Sequence, residues 1–213
     1  MLLYFTLTVI IITFLSSLIS FRLDYPLHLK LLSVLMGATV LDELGAFFII
    51  RYFHKDNVPW YNCFMGIELW IYVYYYSFIL QNKRLLAFIR IFLWVFPVFW
   101  FVVVFIVFGL YKWNSYVAVM ECIMTVFLSL CFYYQLLTAK KLAVLKTCPE
   151  FWIATGLVIC YSCNLPFIGM FQFLTQNFRV LTTKLVGMIQ ILNILMYSMF
   201  TYAFLCRINT RKL

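Results

Sequence analysis

The chain has 213 residues, of which 66% are hydrophobic, 21% aromatic and 11% charged. A soluble domain is about a quarter charged and about half apolar, so this composition excludes an ordinary water-soluble fold and points to a membrane protein. The net charge of +9 is scattered through short connections instead of forming a basic face with interleaved aromatics, which excludes nucleic acid as a partner.

A helix crosses about 30 Å of hydrocarbon in roughly 20 residues. Seven apolar stretches reach that length, at about 2–21, 30–52, 60–80, 85–110, 115–137, 151–174 and 185–206. They are continuously apolar, whereas barrel strands alternate polar and apolar residues over about ten positions. No repeat, Gly/Ser linker or polar block marks a second unit, so residues 1–213 read as a single all-α, seven-transmembrane-helix bundle.

The first stretch has no basic residue ahead of it and exceeds the apolar core of a cleavable signal, so it reads as a retained helix. The second contains "VLDELGAFF", which places Asp42 and Glu43 side by side in an apolar run. In the third, Glu68 shares a helical face with Tyr61, Tyr72 and Tyr75. Pro97 predicts a bend in the fourth, because proline removes a helical hydrogen bond. The fifth carries Glu121. The sixth carries "CYSC", Cys160 to Cys163, followed by "NLPF", where Pro166 predicts a kink. Gln190, Asn193 and Tyr197 form a polar stripe along the seventh.

Lys and Arg in short loops resist translocation and set orientation. One side gathers Arg22, Lys30, Lys83, Arg84, Arg90, Lys140, Lys141, Lys146, Arg207, Arg211 and Lys212; the other holds Arg51, Lys55, Lys112, Arg179 and Lys184. This asymmetry predicts a cytoplasmic C-terminus and, with seven spans, an external N-terminus. The basic inner rim also suits anionic lipids of the bilayer.

With directions fixed, depth follows from the rise of 1.5 Å per residue. Asp42, Glu43, Glu68, Glu121, Gln190 and Asn193 all fall in the outer half of the membrane. Charged side chains inside a bilayer cost at least about 2.5–3.5 kcal/mol and face a bundle interior or a wet cavity. A shared ligand- or proton-binding site is therefore expected from these six residues. The competing reading is structural, with carboxyls and amides serving as interhelical hydrogen bonds worth on average about 0.6 kcal/mol each. No Lys or Arg stands at matching depth as a counter-ion, so the carboxyls are either neutral or await a cationic ligand.

Enzyme signatures are missing from the sequence. His28 and His54 fall in connections, which leaves no intramembrane histidine set for zinc, and no G-x-S-x-G elbow occurs. No metal and no cofactor is expected. The CxxC spacing of Cys160 and Cys163 lies inside an apolar helix and not at the helix start of a βαβ unit, so it does not read as a redox motif.

The stretches "NVPWYNCFMGIELWIYVYYYSFIL", "CPEFWIATGLVICYS" and "ILNILMYSMFTYAFLC" resemble a group of bacterial seven-helix inner-membrane proteins of unassigned function, often encoded beside sensor histidine kinases. The resemblance rests on Asn62, Glu68, Pro149, Trp152, Gly156 and Asn193, and implies a multi-pass inner-membrane location with a signalling partner in the membrane or cytoplasm. Asp42 and Glu43 stand outside it. The expected function is a small sensory or signal-relay subunit with an outward-facing polar cavity. A cation- or proton-coupled transporter or channel is the alternative, and a lipid-acting intramembrane enzyme the third reading.

A reporter fused after Leu213 is expected to be active only in the cytoplasm, and one inserted at Lys112 only outside. The reverse pattern would overturn the depth assignment of all four carboxylates.

Overall fold

The computed structural model describes residues 2–23, 25–138 and 147–210. Of the basic residues that set the expected orientation, Lys140, Lys141, Lys146, Arg211 and Lys212 lie outside the described residues. The described chain is all-helical: α1 (Leu2–Ser17), α2 (Ile19–Arg22), α3 (Leu27–Phe48), α4 (Val58–Ile79), α5 (Lys83–Phe101), α6 (Ser115–Thr138), α7 (Pro149–Gly169), α8 (Phe171–Asn177) and α9 (Arg179–Thr210).

Local chemistry sets the boundaries. Pro149 opens α7, where a missing N–H costs nothing. The Asn82 side chain accepts from the backbone N–H groups of Arg84 (3.0 Å) and Leu85 (3.4 Å) to cap α5, and Asn114 accepts from Val117 N–H (3.2 Å) at the start of α6. α3 widens into a π-type turn at Ile49–Phe53 that ends at His54 in the left-handed region, φ 50°. α5 runs through Pro97 and widens likewise at Val102–Val107. Pro166 sits in the last turn of α7 and not at mid-helix: the chain breaks at Met170, whose N–H bonds back to the Pro166 (3.3 Å) and Phe167 (3.2 Å) carbonyls, and α8 follows.

Six helical stretches are long and apolar enough to cross a membrane: Leu2–Arg22, Leu27–Phe53, Lys83–Val107, Ser115–Thr138, Pro149–Gly169 and Val180–Cys206. α4 has 22 residues, enough to span, but Tyr61, Tyr72, Tyr74, Tyr75 and Tyr76 with Asn62 and Glu68 make it less apolar than these six. Its neighbours account for that composition. α1, α3, α4, α6, α7 and α9 pack in that order into a closed ring, and α5 lies outside it against α4. α4 thus buries Tyr72, Tyr75 and Tyr76 within protein, whereas α5 shows Trp94, 83% exposed, to the surroundings. Large apolar side chains such as Leu15, Ile91 and Leu137 also face outward. A surface of this kind belongs in lipid.

Without a hydrophobic drive between helices in lipid, close packing and interhelical hydrogen bonds hold such a ring. Thr13 of α1 donates to the Tyr197 carbonyl of α9 (3.0 Å). Ser20 and Ser33 join α2 to α3 at 2.7 Å, and Tyr133 joins Thr155 across α6 and α7 at 2.7 Å. Two indoles lie over glycines. Trp60 covers Gly45 and donates to the Asp42 carbonyl (3.0 Å), and Trp100 covers Gly66 and donates to the Asn62 carbonyl (3.1 Å).

A Cβ at Gly66 would run into the Trp100 ring, whereas one at Gly187 meets nothing within 4 Å. Gly66→Ala is expected to lose about 1–3 kcal/mol from overpacking, read by unfolding in mixed micelles, and Gly187→Ala to lose none. Equal stability of the two variants would refute the Trp100 placement.

Candidate functional site

Five of the six ring helices contribute to one polar cavity of about 190 Å³. α3 supplies Asp42 and Glu43, α4 Tyr61 and Glu68, α6 Glu121, α7 Cys160, Tyr161 and Asn164, and α9 Asn193 and Tyr197. The cavity extends from mid-bundle toward the end where α3 and α7 end and α4 and α6 begin. Asp42 and Glu121 are each six residues from the nearer end of the α-helix, about 9 Å along the axis.

The four expected carboxylates and Asn193 therefore share one space. Gln190 does not line it. The inward stripe of α9 is Ile189, Asn193, Met196 and Tyr197, at helical spacings of four, seven and eight, and Gln190 lies half-buried on its flank. Pro97 lies outside the site, in a separate surface cleft with Gly66 and Trp100.

Hydrogen bonding within the site centres on Tyr161. Its hydroxyl stands 3.2 Å from Glu68 Oε1 and 3.3 Å from Glu121 Oε1. A hydroxyl has one proton and can also accept, so it donates to one carboxylate while the other carboxyl brings a proton of its own to the phenol oxygen. Tyr61 donates to Glu43 Oε2 at 3.4 Å and not to Glu68. The Asp42 carboxylate, 5% exposed, receives no hydrogen bond from the described residues. Cys160 donates its thiol to Asn193 Oδ1 (3.3 Å) and accepts from Asn164 Nδ2 (3.4 Å), which leaves Asn164 Oδ1 buried without a partner among the described residues. Cys160 and Cys163 are both free thiols.

Among the described residues, no Lys, Arg or His lines the cavity. Among the described residues, no group of three His, Cys, Asp or Glu side chains stands close enough to hold a metal ion. The arrangement can share protons between acids or pair with a cation large enough to reach several carboxylates at once.

Asn62 holds the end of the site in place. Its Nδ2 donates to the Leu110 (2.9 Å) and Lys112 (2.8 Å) carbonyls, and its Oδ1 accepts from Asn114 N–H (3.3 Å). This fixes the α5–α6 connection so that Trp113 faces the cavity and packs its ring against Phe171 of α8 at 5.4 Å. Sequence reasoning gave Asn62 no physical role and passed over Tyr161, although Leu157, Cys160, Tyr161 and Asn164 form a buried stripe with polar members on α7.

A second polar cluster marks the opposite end of the bundle. His28 Nε2, at the start of α3, lies 2.8 Å from Glu150 Oε1 at the start of α7. The Cys148 thiol donates to Glu150 Oε2 at 3.2 Å. Burial and the adjacent carboxylate push that thiol up to about 11, so it stays protonated and unreactive at neutral pH. Between the two clusters run Tyr72 and Tyr75, both fully buried, the Tyr75 hydroxyl without a hydrogen-bond partner among the described residues; the Tyr75 ring meets His28 edge-on at 5.8 Å.

Compared with family models, curated proteins and solved structures, the chain matches none.

Tyr161→Phe removes the only hydroxyl that touches both Glu68 and Glu121. The carbonyl stretch of the protonated carboxyl is expected to shift in infrared spectra of the reconstituted variant. An unchanged band would show that the phenol bonds neither acid.

Proposed function

We propose that the chain is a seven-span sensory or signal-relay subunit of the bacterial inner membrane, with α4 as the seventh span, the N-terminus outside and the C-terminus in the cytoplasm. Its acidic cavity opens toward the outer face and binds protons or a small cation. The observation that carries this reading is the gathering of four carboxylates in one intramembrane space lined by no basic side chain. Four such groups exceed what interhelical bonding uses, since the Asp42 carboxylate bonds to no described side chain.

The Tyr72 and Tyr75 column supports relay over conduction. Leu69, Val73, Leu128 and Leu157, all fully buried, fill the bundle around it, and this packing supports a blind cavity with no open path for a solute. A change of charge at Glu68 acts on the neighbouring Tyr72 hydroxyl, then through the same face of α4 on Tyr75 and the His28–Glu150 pair. That pair stands at the basic rim, where a kinase-type partner of the resembled family would dock.

The test uses propylamine as a cation probe on the reconstituted protein. Hydrogen exchange in peptides spanning His28 and Cys148 to Glu150 is expected to change on its addition, and to stay constant in Glu68→Gln, which keeps shape and bonding while removing charge. An unresponsive wild type, or an equal response in Glu68→Gln, would overturn the relay.

A further inference from the structure

A second hollow of about 410 Å³ adjoins the acidic cavity. Leu3, Tyr4 and Leu7 of α1 form one wall and Ala46, Phe47 and Ile50 of the α3 end another. Glu43 and Tyr61 line both hollows, so their 3.4 Å hydrogen bond is the partition between them. Apart from that pair, the second hollow is mostly apolar and lies between the start of α1, the end of α3 and the start of α4. Arg51 and His54, both exposed, stand at its end.

We infer that the acidic cavity takes the head of a primary-amine amphiphile, which reaches it sideways from the bilayer through the α1/α3/α4 hollow and past the Glu43–Tyr61 partition. The inference rests on the reading of the cavity as a cation site. The route follows from the walls. Trp113, its ring packed on Phe171, lines the cavity at the α8 end, and the Arg51 guanidinium opposes a bare cation arriving from water at the other opening. An uncharged amine in the bilayer meets neither obstacle. Once inside, it takes a proton from a carboxyl and becomes an ammonium paired with the resulting carboxylate.

The head matches the lining. An ammonium offers three donors, and the cavity offers acceptors with no donor among the described residues: the Asp42 carboxylate, and Asn164 Oδ1, buried without a partner there in a residue only 5% exposed. The rings of Tyr61, Phe64 and Tyr197 add faces that attract a cation. The chain stays among Leu3, Leu7 and Phe47.

Binding of dodecylamine and propylamine is read by tryptophan fluorescence of the protein in phosphatidylcholine nanodiscs, with dodecylamine expressed per membrane phase. Both amines are expected to bind saturably, dodecanol not to bind, and Glu43→Gln to weaken both amines about tenfold. Leu7→Trp, which fills the hollow, is expected to weaken dodecylamine about tenfold and leave propylamine unchanged; Leu3→Trp, on the same wall and more exposed, repeats the test if Leu7→Trp does not fold. Loss of propylamine and dodecylamine alike in both tryptophan variants, or loss of neither, would overturn the lateral route while sparing the cation site. Dodecanol binding as well as dodecylamine would overturn the ammonium head. A wild type that binds no amine would overturn the cation site as well. Phosphatidylethanolamine added to the discs distinguishes sources of the head: competition with dodecylamine assigns it to an aminophospholipid, and its absence to a single-chain amine, either result supporting the ammonium head.

Discussion

The Tyr161 hydroxyl lies between a Glu68 oxygen and a Glu121 oxygen, at 3.2 and 3.3 Å, and the polar half of the bundle depends on that double contact. Three helices, α4, α6 and α7, are tied together at one phenol oxygen. In hydrocarbon an unpartnered polar group costs several kcal/mol, so the acids can stand this close only with a proton or a cation among them. The same scarcity of donors that makes the arrangement demanding makes it responsive. Whatever alters the number of protons or cations in the cavity alters which contacts hold the three helices.

Packing positions that contact. The glycines at 45 and 66 let indoles lie flat on α3 and α4, and each indole N–H then satisfies a backbone carbonyl one turn away, at Asp42 and Asn62. This keeps the Asp42 and Glu43 turn against the start of α4. Asn62 in turn secures the Leu110 to Asn114 connection, and with it the start of α6, whose second turn carries Glu121. The site is thus assembled from helix ends, whereas the tyrosine-packed middle of α4 supplies its floor.

Much of this was legible in the residues. Continuous apolar runs separated by charged connections located the long helices, because spanning length and hydropathy are local properties. Depth was legible for the same reason, since counting residues from each helix end placed the four carboxylates at one level. Lateral placement was not, because it depends on which helices touch. Gln190 was grouped with Asn193 by a three-residue spacing, but packing against α7 at Gly156 and Met196 turns the 189, 193 and 197 face inward. Tyr61 shares a helical face with Glu68, yet a tyrosine reaches outward from its axis, and its partner is Glu43 on α3. The place of α4 is the reverse case: its low apolarity, a weakness for a lipid-facing helix, becomes intelligible once it is seen inside the ring.

The central claim is that the carboxylates form one coupled unit and not separate interhelical bonds. A double-mutant cycle of Glu68→Gln and Glu121→Gln, read by reversible unfolding in mixed micelles, measures this directly, since groups in contact through a shared partner couple by about 0.5–3 kcal/mol and independent ones add to within about 0.3–0.5 kcal/mol. A coupling of at least about 0.5 kcal/mol that vanishes in the Tyr161→Phe background is the result expected. Additive losses in both backgrounds would contradict it.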